Sequence, residues 1–128
     1  MSYVITSDGT QIQRRAAMST EIACIPVTPD GLVAHGWGKA PAVAVAKVED
    51  GTISDWRAVN VGWDVLHDSA EGNHHARIVR FLRDNEVTLA VAGHMGQPMQ
   101  EMLGKLGVRV ALGFEGDART AVLSALTS

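Results

Sequence analysis

A chain of 128 residues, 46% hydrophobic and 20% charged, has the size and make-up of one globular domain with a single sizeable core. A net charge of -3, with no basic run longer than Arg14-Arg15, offers no electrostatic footprint for nucleic acid. The lone cysteine, Cys24, excludes an intramolecular disulfide and any iron–sulfur or zinc site built from four cysteines of one chain, which fits a reducing cytoplasm, and no apolar stretch approaches the ~20 residues that span a bilayer.

Residues 1–19 are polar, carry the turn signal Ser7-Asp8-Gly9, and read as a loose leader ahead of a domain over 20–128. The first strand is expected over 21–27, EIACIPV, closed by Pro26 and the turn residues Thr28-Pro29-Asp30-Gly31, and should be central in a sheet. A glycine-rich connection leads to AVAVAKV over 42–48, then Glu49-Asp50-Gly51, then TISDWRAVN over 52–60. An Asp-Gly between two β-rich runs predicts a hairpin, so these strands should be antiparallel neighbours.

The period then changes. Over 74–85 the apolar residues Ile78, Val79 and Leu82 recur at helical spacing, with Asn73 placed to cap the helix start. VTLAVA over 87–92 is a buried strand, residues 93–97 a tight loop, and 98–106 a helix opened by Pro98 and ended by Gly107. A strand over 108–112, a loop over 113–116 and a helix over 117–126 complete the chain.

Three strands joined by turns, followed by alternating helices and strands, predict an α/β fold with a mixed sheet covered by helices. Helical crossovers make the strands at 52–60, 87–92 and 108–112 mutually parallel. If the first strand runs with them, the hairpin strand 42–48 is the one antiparallel member. The connections after 21–27, 52–60 and 87–92 then leave from one carboxyl edge, where ligands of open α/β sheets commonly bind.

All five histidines fall in or beside those connections: His35 in the first, His67, His74 and His75 in the second, His94 in the third. Neutral imidazoles from separate loops can hold zinc, iron, nickel or copper. His74 and His75 are neighbours on a helix, roughly 100° apart, so one of the two serves packing rather than the same ion. Equally, each histidine can simply hydrogen-bond a nearby loop carbonyl. The loop Gly93-His94-Met95-Gly96 joins a strand to a helix N-terminus, where free amides favour an anion, although two glycines three apart also serve a plain tight turn. Met95 could offer a soft thioether, while Met99 and Met102 repeat with Leu103 and Leu106 as a core stripe. Cys24, inside a strand, reads as a small buried hydrophobe, and Arg77, Arg80 and Arg83 as a solvated helix face. No nucleophile elbow, Walker loop or full G-x-G-x-x-G is present.

The order of IACIPV, the loop His35-Gly36-Trp37-Gly38-Lys39-Ala40, the hairpin Glu49-Asp50-Gly51, Gly72-Asn73-His74-His75-Ala76 opening a helix, and VAGHMG before another helix resembles the dinitrogenase iron-molybdenum cofactor biosynthesis family over roughly residues 21–125. That resemblance implies a ribonuclease H-like three-layer α/β/α fold with a five-stranded mixed sheet. It also implies a role as carrier of an iron-molybdenum or iron–sulfur cluster or its precursors, with cofactor-assembly proteins as partners. The family's commoner loop, His-Phe-Gly-Arg-Ala, is here one residue longer, with the aromatic displaced to Trp37, and its Gly-Asn-Ile-Gly loop has gained His94.

The leading expectation is therefore a non-enzymatic domain that holds a metal cluster, or a transition-metal ion, through His35, His74 and His94. The alternative is a metal-dependent hydrolase with Asp68 or Glu71 as base, disfavoured by the absence of H-E-x-x-H spacing. A protein-interaction module with incidental histidines is the third.

Overall fold

The computed structural model describes residues 20–34, 36–66 and 71–127, the side chains of 65, 66 and 71–74 excepted. The five strands are β1 (Thr20–Pro26), β2 (Ala42–Glu49), β3 (Thr52–Asn60), β4 (Leu89–Val91) and β5 (Arg109–Ala111). They form one sheet in the order β3-β2-β1-β4-β5. The four helices are α1 (Trp63–Leu66), α2 (Glu71–Asp84), α3 (Gln97–Lys105) and α4 (Ala118–Thr127). The leader over 1–19 lies outside the described residues.

β1 is central, as its apolar run predicts, pairing antiparallel with β2 and parallel with β4. Since β2 also pairs antiparallel with β3, and β4 parallel with β5, β2 alone runs against the other four. This is the expected mixed sheet, and its arrangement is compatible with the ribonuclease H-like class. The hairpin turns on Asp50 and Gly51, whose φ values of 54° and 83° are both positive. Such a pair matches the right-handed twist of the flanking strands, and its left-handed backbone suits Asp-Gly.

Each face of the sheet has its own core. On one, Cys24 and Val43 meet Ile78 and Leu82 of α2, Met99 and Leu103 of α3, and Trp63 of α1. On the other, Ala23, Ile25, Ala44, Ala46, Leu89 and Val91 pack against Ala118, Ala121, Val122 and Ala125 of α4. The alternating Ala and Val of β2 thus serve opposite faces, a consequence of the two-residue side-chain period. Small alanines on both the sheet and α4 permit a close helix-to-sheet approach.

The differences from expectation are local. α2 begins three residues earlier than its apolar period suggests, so Asn73 is the third residue of the helix rather than its cap. α1 was not anticipated, because four residues are too few to display a period. β4 and β5 are three residues each, shorter than their apolar runs. In α3, Met99 and Leu103 are buried and Met102 lies partly buried against them, whereas Leu106 at the C-cap is 36% exposed, past the stripe that meets the sheet.

Candidate functional site

Because β1, β3, β4 and β5 are parallel, the connections that follow them leave from a single edge. The register fixes that edge: Pro26 of β1 opposes Val43, and Ala42 opposes Asn60 of β3. Backbone hydrogen bonds lace the four connections together. Val61 N and Gly62 N donate to Pro41 O at 2.9 and 3.0 Å, and Trp63 N donates to Ala40 O at 3.1 Å. These join the connection after β3 to the one after β1. Val33 N donates to Gly116 O at 2.8 Å and Ala118 N to Gly31 O at 3.0 Å, bringing in the connection after β5. Gly113 N to Gly93 O, at 3.1 Å, ties that one to the connection after β4. A Cβ built on Gly93 would lie 3.1 Å from Phe114 O, so a larger residue there would push the two backbones apart by a few tenths of an ångström.

Beneath this rim lies an apolar floor. Trp37, Trp63 and Met95, one from each of three connections, are all buried in the same cluster. The rings of Trp37 and Trp63 are 5.5 Å apart and tilted by 53°, and Trp63 meets Phe81 of α2 edge-on at 5.8 Å. Such tilted and edge-to-face pairs are the geometries aromatic quadrupoles favour. Met95 is 3% exposed, so its thioether is not displayed at the rim as the loop's sequence suggested; the side chain turns inward because the core beneath the loop is apolar and close. Gln100 Nε2 donates to Met95 O at 2.9 Å and holds the loop's shape.

Two helix starts at the rim behave differently. At α4, Thr120 N and Thr120 Oγ1 both donate to Asp117 Oδ2 at 2.9 Å. These bonds, with a smaller contribution from Arg119, hold the Asp117 carboxyl below its ordinary pKa. At α3, Gly96 is the N-cap and makes no side-chain cap bond. Its first-turn amides are left to an outside acceptor, and Pro98 removes one of them. Exposed His94 and Lys39 stand on the same rim, but so do exposed Asp30, Asp64 and Glu115, so the net field there is mixed.

The expected site residues separate as follows. His94, Gly93 and Gly96 are exposed on the rim, where the sequence placed them. His75 is half-buried on α2, and His74 belongs to the first turn of that helix, its side chain outside the described residues. His35, His67 and Asp68 also lie outside the described residues. Among the described residues no group of three His, Cys, Asp or Glu side chains gathers as a metal-binding set. Cys24 is fully buried, and burial pushes its thiol well above the ordinary range, so it behaves as the core residue expected. Sequence reasoning passed over Trp37, Trp63 and Lys39 as parts of the rim. The signal available for Trp37 was its place between two glycines in the connection after a central strand.

The profile of the dinitrogenase iron-molybdenum cofactor family matches residues 18–128. The chain belongs to that family, and its general task lies with iron-molybdenum cofactor biosynthesis or binding. Among solved structures, the apo orange protein of Desulfovibrio gigas is 18% identical, with a TM-score of 0.67 over 86% of this chain and 90% of that one. PH0822 is 17% identical, with a TM-score of 0.65 over 82% and 88%. TM1290 of Thermotoga is 20% identical, with a TM-score of 0.61 over 84% and 87%. At these identities the likeness shows the shared fold. No match is found among curated proteins. No helix among the described residues is long and apolar enough to cross a membrane.

Proposed function

We propose that the carboxyl rim of the sheet is a carrier site for an anionic metal–sulfur species, an iron-molybdenum or iron–sulfur cluster or a precursor of one, and that the protein holds this cargo without transforming it. The observation that carries the reading is the rim itself. Four connections are laced into one frame over an aromatic floor, with the uncapped start of α3 and exposed His94 left facing outward. A preassembled cluster needs few protein ligands if N–H donors meet its sulfides, so a single buried cysteine is no obstacle. His94 on the rim, with His35 and His74 from two of the other three connections, supplies the imidazoles. Rim carboxylates of both neighbouring connections argue against binding by net charge, leaving neutral amides and imidazole as the donors. As a carrier, the protein would receive and hand on its cargo through cofactor-assembly proteins.

Anaerobic titration with ferrous iron, tetrathiomolybdate and both together, followed by optical spectroscopy and metal analysis of the desalted protein, tests this. Retention of about one metal–sulfur unit per chain is expected. Well-folded protein that retains neither metal nor sulfide would remove the proposal.

A further inference from the structure

One buried side-chain polar atom among the described residues has no hydrogen-bond partner, and it is the indole Nε1 of Trp37. Trp37 is 1% exposed, and a buried donor left unpaired is costly, so native proteins seldom keep one without a use. The packing role of this ring does not require the donor: a phenylalanine could also meet Trp63, and would leave nothing unpaired. The ring's position is set by the rest of the rim, through Trp63 at 5.5 Å and the Ala40 N to Trp37 O bond of 3.4 Å. The ring is thus seated by its neighbours, while its N–H makes no bond of its own. Trp37 also shares its cluster with Met95, the residue just before the uncapped Gly96 of α3.

We propose that Trp37 Nε1–H is a ligand donor, meeting a sulfide or oxo acceptor of an anionic metal–sulfur species together with the open amides at the start of α3. The inference rests on the carrier reading above and assigns one of its contacts. A neutral donor in an apolar floor recognises an anion without adding a cation, which suits a rim whose exposed charges are mixed. It selects for acceptor atoms, favouring a thiometallate over a bare cation. The atom is covered in the structure, so contact requires the short segment around Trp37 to lift. Gly36, at a φ of 106°, and Gly38 flank the residue, and a Cβ at Gly36 would meet nothing within 4 Å.

The test uses protein with 15N-labelled indoles, titrated anaerobically with tetrathiomolybdate, and a second form carrying β-(3-benzothienyl)alanine at position 37, which replaces the N–H by sulfur and keeps the ring's shape. The Trp37 indole proton should move downfield on binding, while that of Trp56, which packs on the opposite face of the sheet, stays in place. The sulfur analogue should bind about ten- to a hundredfold more weakly, with a thermal midpoint equal to or above that of the parent. If the amides of residues 93–96 shift at saturation but the Trp37 indole and the affinity of the analogue do not change, this assignment fails and the carrier site stands. If no resonance moves at millimolar tetrathiomolybdate, the carrier reading falls and takes the assignment with it.

Discussion

The two edges of the sheet are built on opposite principles. At the amino edge every strong polar group of the described network has a partner inside the protein. Thr88 Oγ1 donates to Glu21 Oε1 at 2.7 Å and accepts from Ile22 N at 3.0 Å, and Arg109 Nη2 meets the same Glu21 oxygen at 2.9 Å. Three neighbouring strands, β1, β4 and β5, are closed by this one cluster. At the carboxyl edge the backbone frame is equally well bonded, yet it leaves an uncapped helix start and an exposed histidine at the surface and, buried beneath them, an indole N–H without an acceptor. Saturated polar groups hold a fold; unsatisfied ones held by a saturated frame are available for a ligand. On the carrier proposal, the contrast would separate stability from function between the two edges.

Several substitutions would break or sharpen the contrast. The largest effect is expected at Trp63, the pivot of the floor. Trp63→Ala should cost about 3–5 kcal/mol in chemical denaturation, because it empties a fully packed site between Trp37 and Phe81. It should also abolish cargo retention, since the frame above loses its support. A loss below 1 kcal/mol would show that the aromatic floor is not the packed unit described.

Next comes the closed edge. Thr88→Val preserves shape but strips Ile22 N of its acceptor and Glu21 of a donor, for an expected loss of about 1–3 kcal/mol with tetrathiomolybdate binding unchanged. Weakened binding without loss of stability would contradict the division between edges. At the open edge the pattern should invert. His94→Ala is expected to lower affinity for metal or cluster by about tenfold or more while shifting stability by less than about 0.5 kcal/mol, as an exposed loop side chain contributes little burial. His35→Ala and His74→Ala should follow the same pattern if the three imidazoles share cargo, and titration calorimetry beside thermal melts reads both quantities.

The smallest effect concerns the saturated helix start at the rim. The Asp117 carboxyl has a folded pKa depressed below its ordinary 3.8, so its capping contribution is fully present above that value and is lost as pH falls through the depressed one. Asp117→Asn, which keeps an acceptor for Thr120 N but cannot titrate, should flatten the acid limb of the melting profile slightly and leave neutral-pH stability nearly unchanged. An identical acid limb in both proteins would mean the carboxyl does not gain from its charge.

Much of the architecture was legible in the sequence because local rules dictate it. Asp50-Gly51 allows a tight two-residue turn that pairs Glu49 with Thr52 and Val48 with Ile53, while a bulge at Lys47/Val48 shifts the register of the remaining pairs. The unbroken apolar run IACIP demands burial on both faces and so a central position, and helical crossovers force the remaining strands parallel. From parallelism alone it follows that the histidine-bearing connections leave from one edge. Helix starts were less legible: α2 begins before its apolar stripe, since a first turn needs no core contact to form.

What only the tertiary structure decided is which side chains of those connections face outward. Met95 and His94 are adjacent in one loop and both read as possible ligands, but the apolar floor takes the thioether and leaves the imidazole exposed. Trp37 and Trp63 are 26 positions apart and in separate connections. Nothing in either local sequence announces their contact, or that it would leave one indole N–H buried without an acceptor. Periodicity and turn chemistry act over a few residues and can order the chain into strands and loops. The burial or exposure of a loop side chain is settled by what other loops bring against it, and that information exists only once the sheet has closed.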